Sequence, residues 1–418
     1  MQLMKSWVES ANQPDTPFPL NNLPYGVFST EGNDPRCGVA IGDSILDCCA
    51  AEDAGLLDLA DVALFELPFW NDVMEEGPAV WAALRARLTA LLAEGASERD
   101  KVAPLLVPIN SAELHMPFMV SEFTDFYAGK NHATNIGTMF RGKENALPPN
   151  WLHIPIGYNG RASTVVISGT DIRRPNGQSK AQDADVPSFG PSKRLDIELE
   201  MGAIVGTGSE MGHPVTVAQA DAMIFGYVLL NDWSARDIQP WEYQPLGPFQ
   251  AKAFATTISP WIVTRAALEP FRTATPEREK TLLPYLQEPG PLLYDIDLSV
   301  SMAPEGGDPV VICETNYSEM YYSAAQQLAH HASSGCAMTP GDLLGSGTIS
   351  GKEKHQFGSL QEITWGGKET FELSDGQTRT FVEDGDTLTL SGHAQGNGYR
   401  IGFGDCLGRI LPAPEYPS

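Results

Sequence analysis

The alternation in KRLDIELEMG, residues 193–202, constrains this chain more than any other stretch. Asp196, Glu198 and Glu200 fall at every second position, with Leu195, Ile197 and Leu199 between them. Successive side chains on a strand point to opposite faces, so a strand here carries three carboxylates on one side and three aliphatics on the other. Like charges at that spacing repel, and acidic residues are poor strand formers, so the row needs water or a cation in front of it. Same-face neighbours lie about 6.6 Å apart, at roughly 3.3 Å of rise per residue. Two such carboxylates can converge on one ion through oxygen bonds of about 2.3–2.6 Å. Asp196 and Glu200 lie about 13 Å apart by the same arithmetic, too far for one ion to take all three. Two readings stand: a solvated edge strand, or a cation held by Asp196 with Glu198 or by Glu198 with Glu200.

Around this row the chain reads as mixed, β-rich α+β. Its 418 residues suggest two or three domains, at roughly 100–200 residues each. The 40 glycines and 32 prolines, with short apolar runs bounded by turn residues, favour strands and loops over long helices. Residues 1–118 read as a small structural domain. In it, GVAIGDSILDC is two strands about a Gly-Asp turn, and residues 79–95 space Trp81, Leu84, Leu88, Leu91 and Leu92 helically before Gly95. Residues 119–418 read as a larger domain of mixed β-structure with flanking helices. There STVVISG is a strand, Thr216 and Gln219 have the spacing of a capping box, and GYVLLNDWSARD is a buried strand that emits polar residues at its end. A helix is expected over 318–335, and DTLTLSG and GYRIGFGDCLG close the chain as strands.

Several function classes drop out. A net charge of -26, from 53 acidic and 27 basic residues, argues against nucleic acid and anionic membranes as partners. The most apolar run, AMIFGYVLL, is far short of the roughly 20 residues that span a bilayer, and the N-terminal stretch lacks the apolar core of a signal peptide. The 6 cysteines, Cys37, Cys48, Cys49, Cys313, Cys336 and Cys406, include no C-x-x-C pair, so a reduced, cytoplasmic protein is expected. The Gly-rich GDLLGSGTISG has neither P-loop nor Rossmann spacing, and no serine nucleophile elbow is present. Chemistry built from what remains uses an activated water and a bound cation.

The residues suited to that chemistry are few. Asp125 in EFTDFYAGKNHATNIG and Asp232 after the apolar YVLL join the acidic row. Such carboxylates, without a cysteine or histidine ligand pattern, suit Ca²⁺ or Mg²⁺ rather than zinc. His132 follows Asp125 by seven positions, so both can share a helix face after two turns. A lone histidine is most often structural, but Tyr127, Lys130, Asn131 and Arg141 nearby can bind a polar ligand. His330 and His331 are adjacent and point about 100° apart, so they form no metal pair. WSARDIQPWEYQPLGPFQAKAFATT gathers Arg236, Gln239, Tyr243 and Lys252, which can neutralise a carboxylate or an oxyanion, or form an ordinary ion-paired loop.

Taken together, DFYAGKNHATNIGTMFRG, NWLHIPIGYNGRAS, LDIELEMG, NDWSARDIQPWEYQPLGPF with KAFATTISPW, and GSGTISG resemble the fumarylacetoacetase family of tyrosine and phenylalanine catabolism, in order along essentially the whole chain. The resemblance implies an SH3-like β-barrel over 1–118, a β-roll catalytic domain over 119–418, and a homodimer. It implies hydrolysis of a carbon–carbon bond in 4-fumarylacetoacetate, a small β-diketo acid, to fumarate and acetoacetate. It further implies that Asp125, Glu198, Glu200 and Asp232 hold Ca²⁺ or Mg²⁺, which selects the second pair of the row and leaves Asp196 a neighbour. His132 becomes the base that activates water, and Glu362 in LQEITW orients its imidazole. Arg236, Gln239 and Lys252 are implied to stabilise an oxyanion, and Tyr127, Arg141, Gln239, Tyr243 and Thr348 to contact substrate. A second cation site is implied near Asp232, Lys252 and Thr256, with a backbone oxygen as the donor at Lys252. The alternatives are a sibling enzyme with the same E-x-E core, such as an acylpyruvate hydrolase or an oxaloacetate decarboxylase, and a non-catalytic calcium-stabilised module.

Overall fold

The Gly-Asp turn forms where the sequence places it, joining the second and third strands of an N-terminal sheet. Strands β1 (Tyr25–Ser29), β2 (Arg36–Ile41), β3 (Ser44–Asp47), β4 (Leu106–Pro108) and β5 (Glu113–His115) pair antiparallel in the order β4-β3-β2-β1-β5. Helix α1 (Gly77–Leu92) buries Leu84, Leu88, Leu91 and Leu92. It ends three residues before Gly95, where the chain turns out at Ala93. The computed structural model describes residues 2–181, 183–374 and 376–416.

A second, eight-stranded sheet carries the chemistry. Its strands and the helices between them in the chain are β6 (Phe123–Phe126), α2 (Lys130–Arg141), β7 (Gly157–Asn159), β8 (Val165–Ile167), β9 (Leu199–Val205), α3 (Val217–Met223), β10 (Ile224–Asp232), α4 (Gln239–Glu242), β11 (Thr256–Ile258), α5 (Ala324–His331) and β12 (Leu343–Gly345), followed by α6 (Leu360–Ile363). The strand order is β7-β6-β12-β9-β10-β11-β8, with Val263–Thr264 also on β10. Every residue of β10 is buried, as expected of a near-continuous apolar run covered on both faces. Phe225, Val228 and Leu230 pack with the N-terminal sheet, while Ile224, Tyr227 and Leu229 face the other way. Tyr25 stacks on Trp70 at 4.2 Å and tilts against Phe225 at 5.7 Å within the first of these clusters, so residues on both sides of position 118 share one core. The opposite face is covered by a six-stranded sheet, Val310–Asn316, Asp297–Ala303, Thr387–Gly396, Cys406–Leu411 and Ile172–Arg173 in that order, with Tyr399–Gly402 on Thr387–Gly396. The architecture is mixed, β-rich α+β.

Three expectations need correction. The acidic row is not one strand, and it is not solvated: Leu195–Asp196 pairs with Ser234–Ala235, and β9 begins only at Leu199. Between them the Asp196 carboxylate accepts from the next residue's backbone N–H at 2.8 Å, which bends the chain and breaks the alternation. The helix expected over 318–335 starts at Ala324, because Ser323 and Gln326 close a capping box and Tyr317–Glu319 forms a separate 3₁₀ turn. Asp125 and His132 do not share a helix. Asp125 is on β6 and His132 is on α2, whose N-cap is Gly129. The capping box at Thr216 and Gln219 forms as read. Among the described residues the cysteines are free thiols, with Cys37, Cys48, Cys313 and Cys406 buried. Among the described residues no helix is long and apolar enough to cross a membrane.

Candidate active site

Period two along three strands sets the site. Asp125 on β6, Glu200 on β9 and Asp232 at the end of β10 lie on the sheet face that Phe123, Ile204 and Leu230 present to the N-terminal core. Their carboxylate oxygens lie within 4.8 Å of one another, and all three residues are buried. Strand β12 runs between β6 and β9, so Glu200 must cross it to meet Asp125. Gly345 leaves the space: a Cβ there would lie 2.9 Å from Glu200 Oε2 and 3.1 Å from the Phe123 ring. The Gly347 N–H donates to Glu200 Oε2 at 2.9 Å, while buried Glu200 Oε1 has no protein partner. Burial pushes the Asp125 and Glu200 carboxyls well above the usual range; Lys252 opposes this, and the neighbouring acids reinforce it. A buried, oxygen-only donor set with an orphaned carboxylate oxygen fits a hard divalent cation.

Glu198 belongs to a neighbouring network. Its Oε1 accepts from Arg236 Nη2 at 2.7 Å, and its Oε2 pairs with the Lys252 ammonium. Lys252 Nζ lies 2.6 Å from Asp232 Oδ2 and 3.7 Å from Asp125 Oδ2, so one ammonium stands among three of the four acids. Burial works against the charge of both partners. Even so, the acids hold Lys252 above its ordinary value, and Lys252 and Arg236 hold Glu198 below its own. Thr256 Oγ1 donates to Asp232 Oδ1 at 2.8 Å, which groups Asp232, Lys252 and Thr256.

His132 sits in the first turn of α2, buried, with its ring edge-on to Tyr127 at 5.6 Å. Its Nδ1 is 2.6 Å from Glu362 Oε2. That carboxylate also accepts from Ser350 Oγ at 2.9 Å, Ser359 Oγ at 2.8 Å and Asn135 Nδ2 at 2.8 Å. Burial would raise Glu362, but His132, Asn135 and Ser359 hold it low. An ionised Glu362 only accepts, so His132 donates to it from Nδ1, which leaves Nε2 toward the site, 3.8 Å from Glu198 Oε1.

A cavity of about 250 Å³ opens in front of Nε2, and Tyr127, Arg141, Gln239, Tyr243 and Thr348 line it with His132. The Arg141 guanidinium is anchored by donating to the Ala146 carbonyl at 2.6 Å, and Arg236 Nη1 donates to Gln239 Oε1 at 3.2 Å. Buried Thr348 Oγ1 has no protein partner. The structure therefore gathers the implied catalytic, substrate-binding and cation-binding residues around one cavity and its acidic floor, but not Lys130, which pairs with Glu279, nor Asn131, which donates to Glu319 and the Ser350 carbonyl. Sequence reading missed Asn135, Ser350 and Ser359. Asn135, three positions after His132, and Ser359, three before Glu362, had the spacing of a shared helix face and of an N-cap. Ser350 carried no such signal.

The crossing at Gly345 is open to test. Gly345→Ala is expected to weaken divalent-cation affinity by roughly tenfold, because the new methyl displaces the Glu200 carboxylate. Isothermal titration with Ca²⁺ and Mg²⁺ reads this directly, and unchanged affinity would show that Glu200 needs no such path.

The family described as Fumarylacetoacetate (FAA) hydrolase C-terminal matches residues 122–410, and the one described as Fumarylacetoacetase N-terminal matches residues 21–117. The chain is 51% identical to the fumarylacetoacetase of Bos taurus over 410 residues, covering 96% of this chain and 98% of that one. It is 48% identical to the fumarylacetoacetase of Arabidopsis thaliana over 423 residues, covering 99% and 100%. A solved fumarylacetoacetate hydrolase from psychrophilic Exiguobacterium antarcticum has a TM-score of 0.52 at 15% identity, covering 93% of this chain and 99% of that one, a likeness of fold alone.

Proposed function

The chain belongs to the fumarylacetoacetase family, and from that premise we propose that it hydrolyses the carbon–carbon bond of 4-fumarylacetoacetate to fumarate and acetoacetate, the last step of tyrosine and phenylalanine catabolism. Identity near one half over nearly the whole chain favours this substrate over those of shorter sibling enzymes. The observation that carries the reading is the 2.6 Å contact from His132 Nδ1 to Glu362, which leaves Nε2 to face a cavity with an acidic floor.

In this mechanism His132 Nε2 takes a proton from a water in the cavity, and Glu362 stabilises the imidazolium that forms. The resulting hydroxide adds to the substrate carbonyl carbon. The bond to the acetoacetate carbon then breaks with its electron pair on acetoacetate, as an enolate, and the imidazolium returns the proton. Arg236 uses three of its five N–H groups on Asp196, Glu198 and Gln239, so two remain, with Gln239 and Lys252, for the developing oxyanion. Tyr127, Arg141, Gln239, Tyr243 and Thr348 hold the substrate. Asp125, Glu198, Glu200 and Asp232 would hold Ca²⁺ or Mg²⁺, which when bound polarises the diketone oxygens. A second, weaker cation site at Asp232, Lys252 and Thr256 belongs to the same reading, with the Lys252 carbonyl as donor. So do an SH3-like barrel built on the five-stranded sheet, a β-roll behind it, a homodimer and a cytoplasmic location.

Loss of diketone absorbance with stoichiometric fumarate, abolished by a chelator and restored by Ca²⁺ or Mg²⁺, is the expected result. No fumarate from the native protein, or full activity after exhaustive chelation, would contradict it.

A further inference from the structure

Asp196 lies outside the acidic cluster and outside the cavity lining, yet it is fully buried and its carboxylate is saturated. Oδ1 accepts from the Ile197 and Leu360 backbone N–H groups at 2.8 and 2.7 Å. Oδ2 accepts from the Gln361 backbone N–H at 3.0 Å and from Arg236 Nε at 2.8 Å. Leu360 and Gln361 open α6, the helix that carries Glu362. One carboxylate thus joins the guanidinium at the cavity to the element that aims the His132 partner. A buried ion pair is weak evidence for stability, since apolar residues of similar volume often do as well, so its presence here points to placement.

We infer that Asp196 is a positioning residue for the proposed hydrolysis: it fixes the Arg236 fork, with Glu198 as the other anchor, so that the unused N–H groups of the guanidinium face the substrate. The inference rests on the functional reading above. Asp196→Asn is a sharp probe of it. The amide keeps an oxygen for the Ile197 and Leu360 N–H groups, but turns an NH₂ onto Arg236 Nε and the Gln361 N–H, donor against donor.

The experiment compares Asp196→Asn, Arg236→Gln and the double variant for kcat and KM on fumarylacetoacetate, with bound cation measured in each. Asp196→Asn is expected to lower kcat by at least about tenfold, with KM changed by less than about threefold and cation content unchanged. The double variant is expected to match Arg236→Gln within about threefold, because Asp196 has nothing left to position. A wild-type kcat in Asp196→Asn, or a double variant whose loss is the product of the two single losses, overturns the inference. Should the single Asp196→Asn chain not fold, the double variant removes both charges of the pair together, and its comparison with Arg236→Gln decides the matter by the same criterion. A native protein that turns over no fumarylacetoacetate overturns the functional reading itself, and this inference with it.

Discussion

His132→Ala is expected to lower kcat on fumarylacetoacetate by about 10²–10⁴, the span that a positioned general base contributes, with little change in KM. Among the described residues lining the cavity His132 supplies the imidazole, and its Nε2 is left for water because Nδ1 is committed to Glu362. The fold should survive the change. Glu362 keeps Asn135, Ser350 and Ser359 as donors, so truncation leaves no orphaned carboxylate, only a small void beside Tyr127. Cation content should change little, since Glu198, the proposed ligand beside His132, lies 3.8 Å from Nε2, beyond hydrogen-bond reach. Glu362→Gln sharpens the case. A glutamine amide can donate to Nδ1, which moves the imidazole proton to Nε2 and turns a base into an acid at the cavity, so a loss of the same order is expected with the ring still in place. Steady-state assays with cation analysis and melting curves check both variants. A kcat within about threefold of native in His132→Ala would remove it from the water-activation role.

How far the sequence anticipated this site can be read from two of its segments. Strand β10 was legible because nine buried residues in a row leave a near-continuous apolar run that ends on polar Asn231 and Asp232. The acidic row misled because period-two arithmetic assumes an unbroken strand, and the bend at Ile197 follows from the hydrogen bond that its backbone N–H donates to the Asp196 carboxylate. That bend sends Asp196 to Arg236 and α6, Glu198 to Lys252 and Arg236, and Glu200 across β12 to Asp125. The convergence of Asp125, Glu200 and Asp232 depends on the order β6-β12-β9-β10, and no local pattern encodes which strands become neighbours. Likewise the spacing of His132 from Asp125 suggested one helix, whereas a strand and a helix joined through Gly129 bring them to the same site. A Cβ on Gly129 would lie 2.3 Å from the Thr348 carbonyl, so the glycine lets the Gly-rich loop close on this junction, a long-range reason invisible at the sequence level.

Glu200→Gln is expected to weaken divalent-cation affinity by about 100-fold or more, while leaving the cation-free protein as stable as the native one or more stable. The two effects have opposite signs for one physical reason. In the cation-free protein, Glu200 Oε1 is buried without a partner, and burial with the neighbouring acids makes its ionised form unfavourable. A glutamine keeps an oxygen for the Gly347 N–H and places its NH₂ toward Asp125 and Asp232, where it donates to carboxylates that otherwise repel. That NH₂ then stands where the cation would take an oxygen. A native protein saturated to 100 times its Kd should gain about 2.7 kcal/mol over its chelated form, whereas the variant should melt alike with and without chelator. Calorimetric titration with Ca²⁺ and Mg²⁺, paired with melting curves in chelator, reads both signs in one preparation. Unchanged cation content would take Glu200 out of the ligand set. A lower melting temperature in chelator would mean that the Glu200 carboxylate is satisfied by something other than a cation.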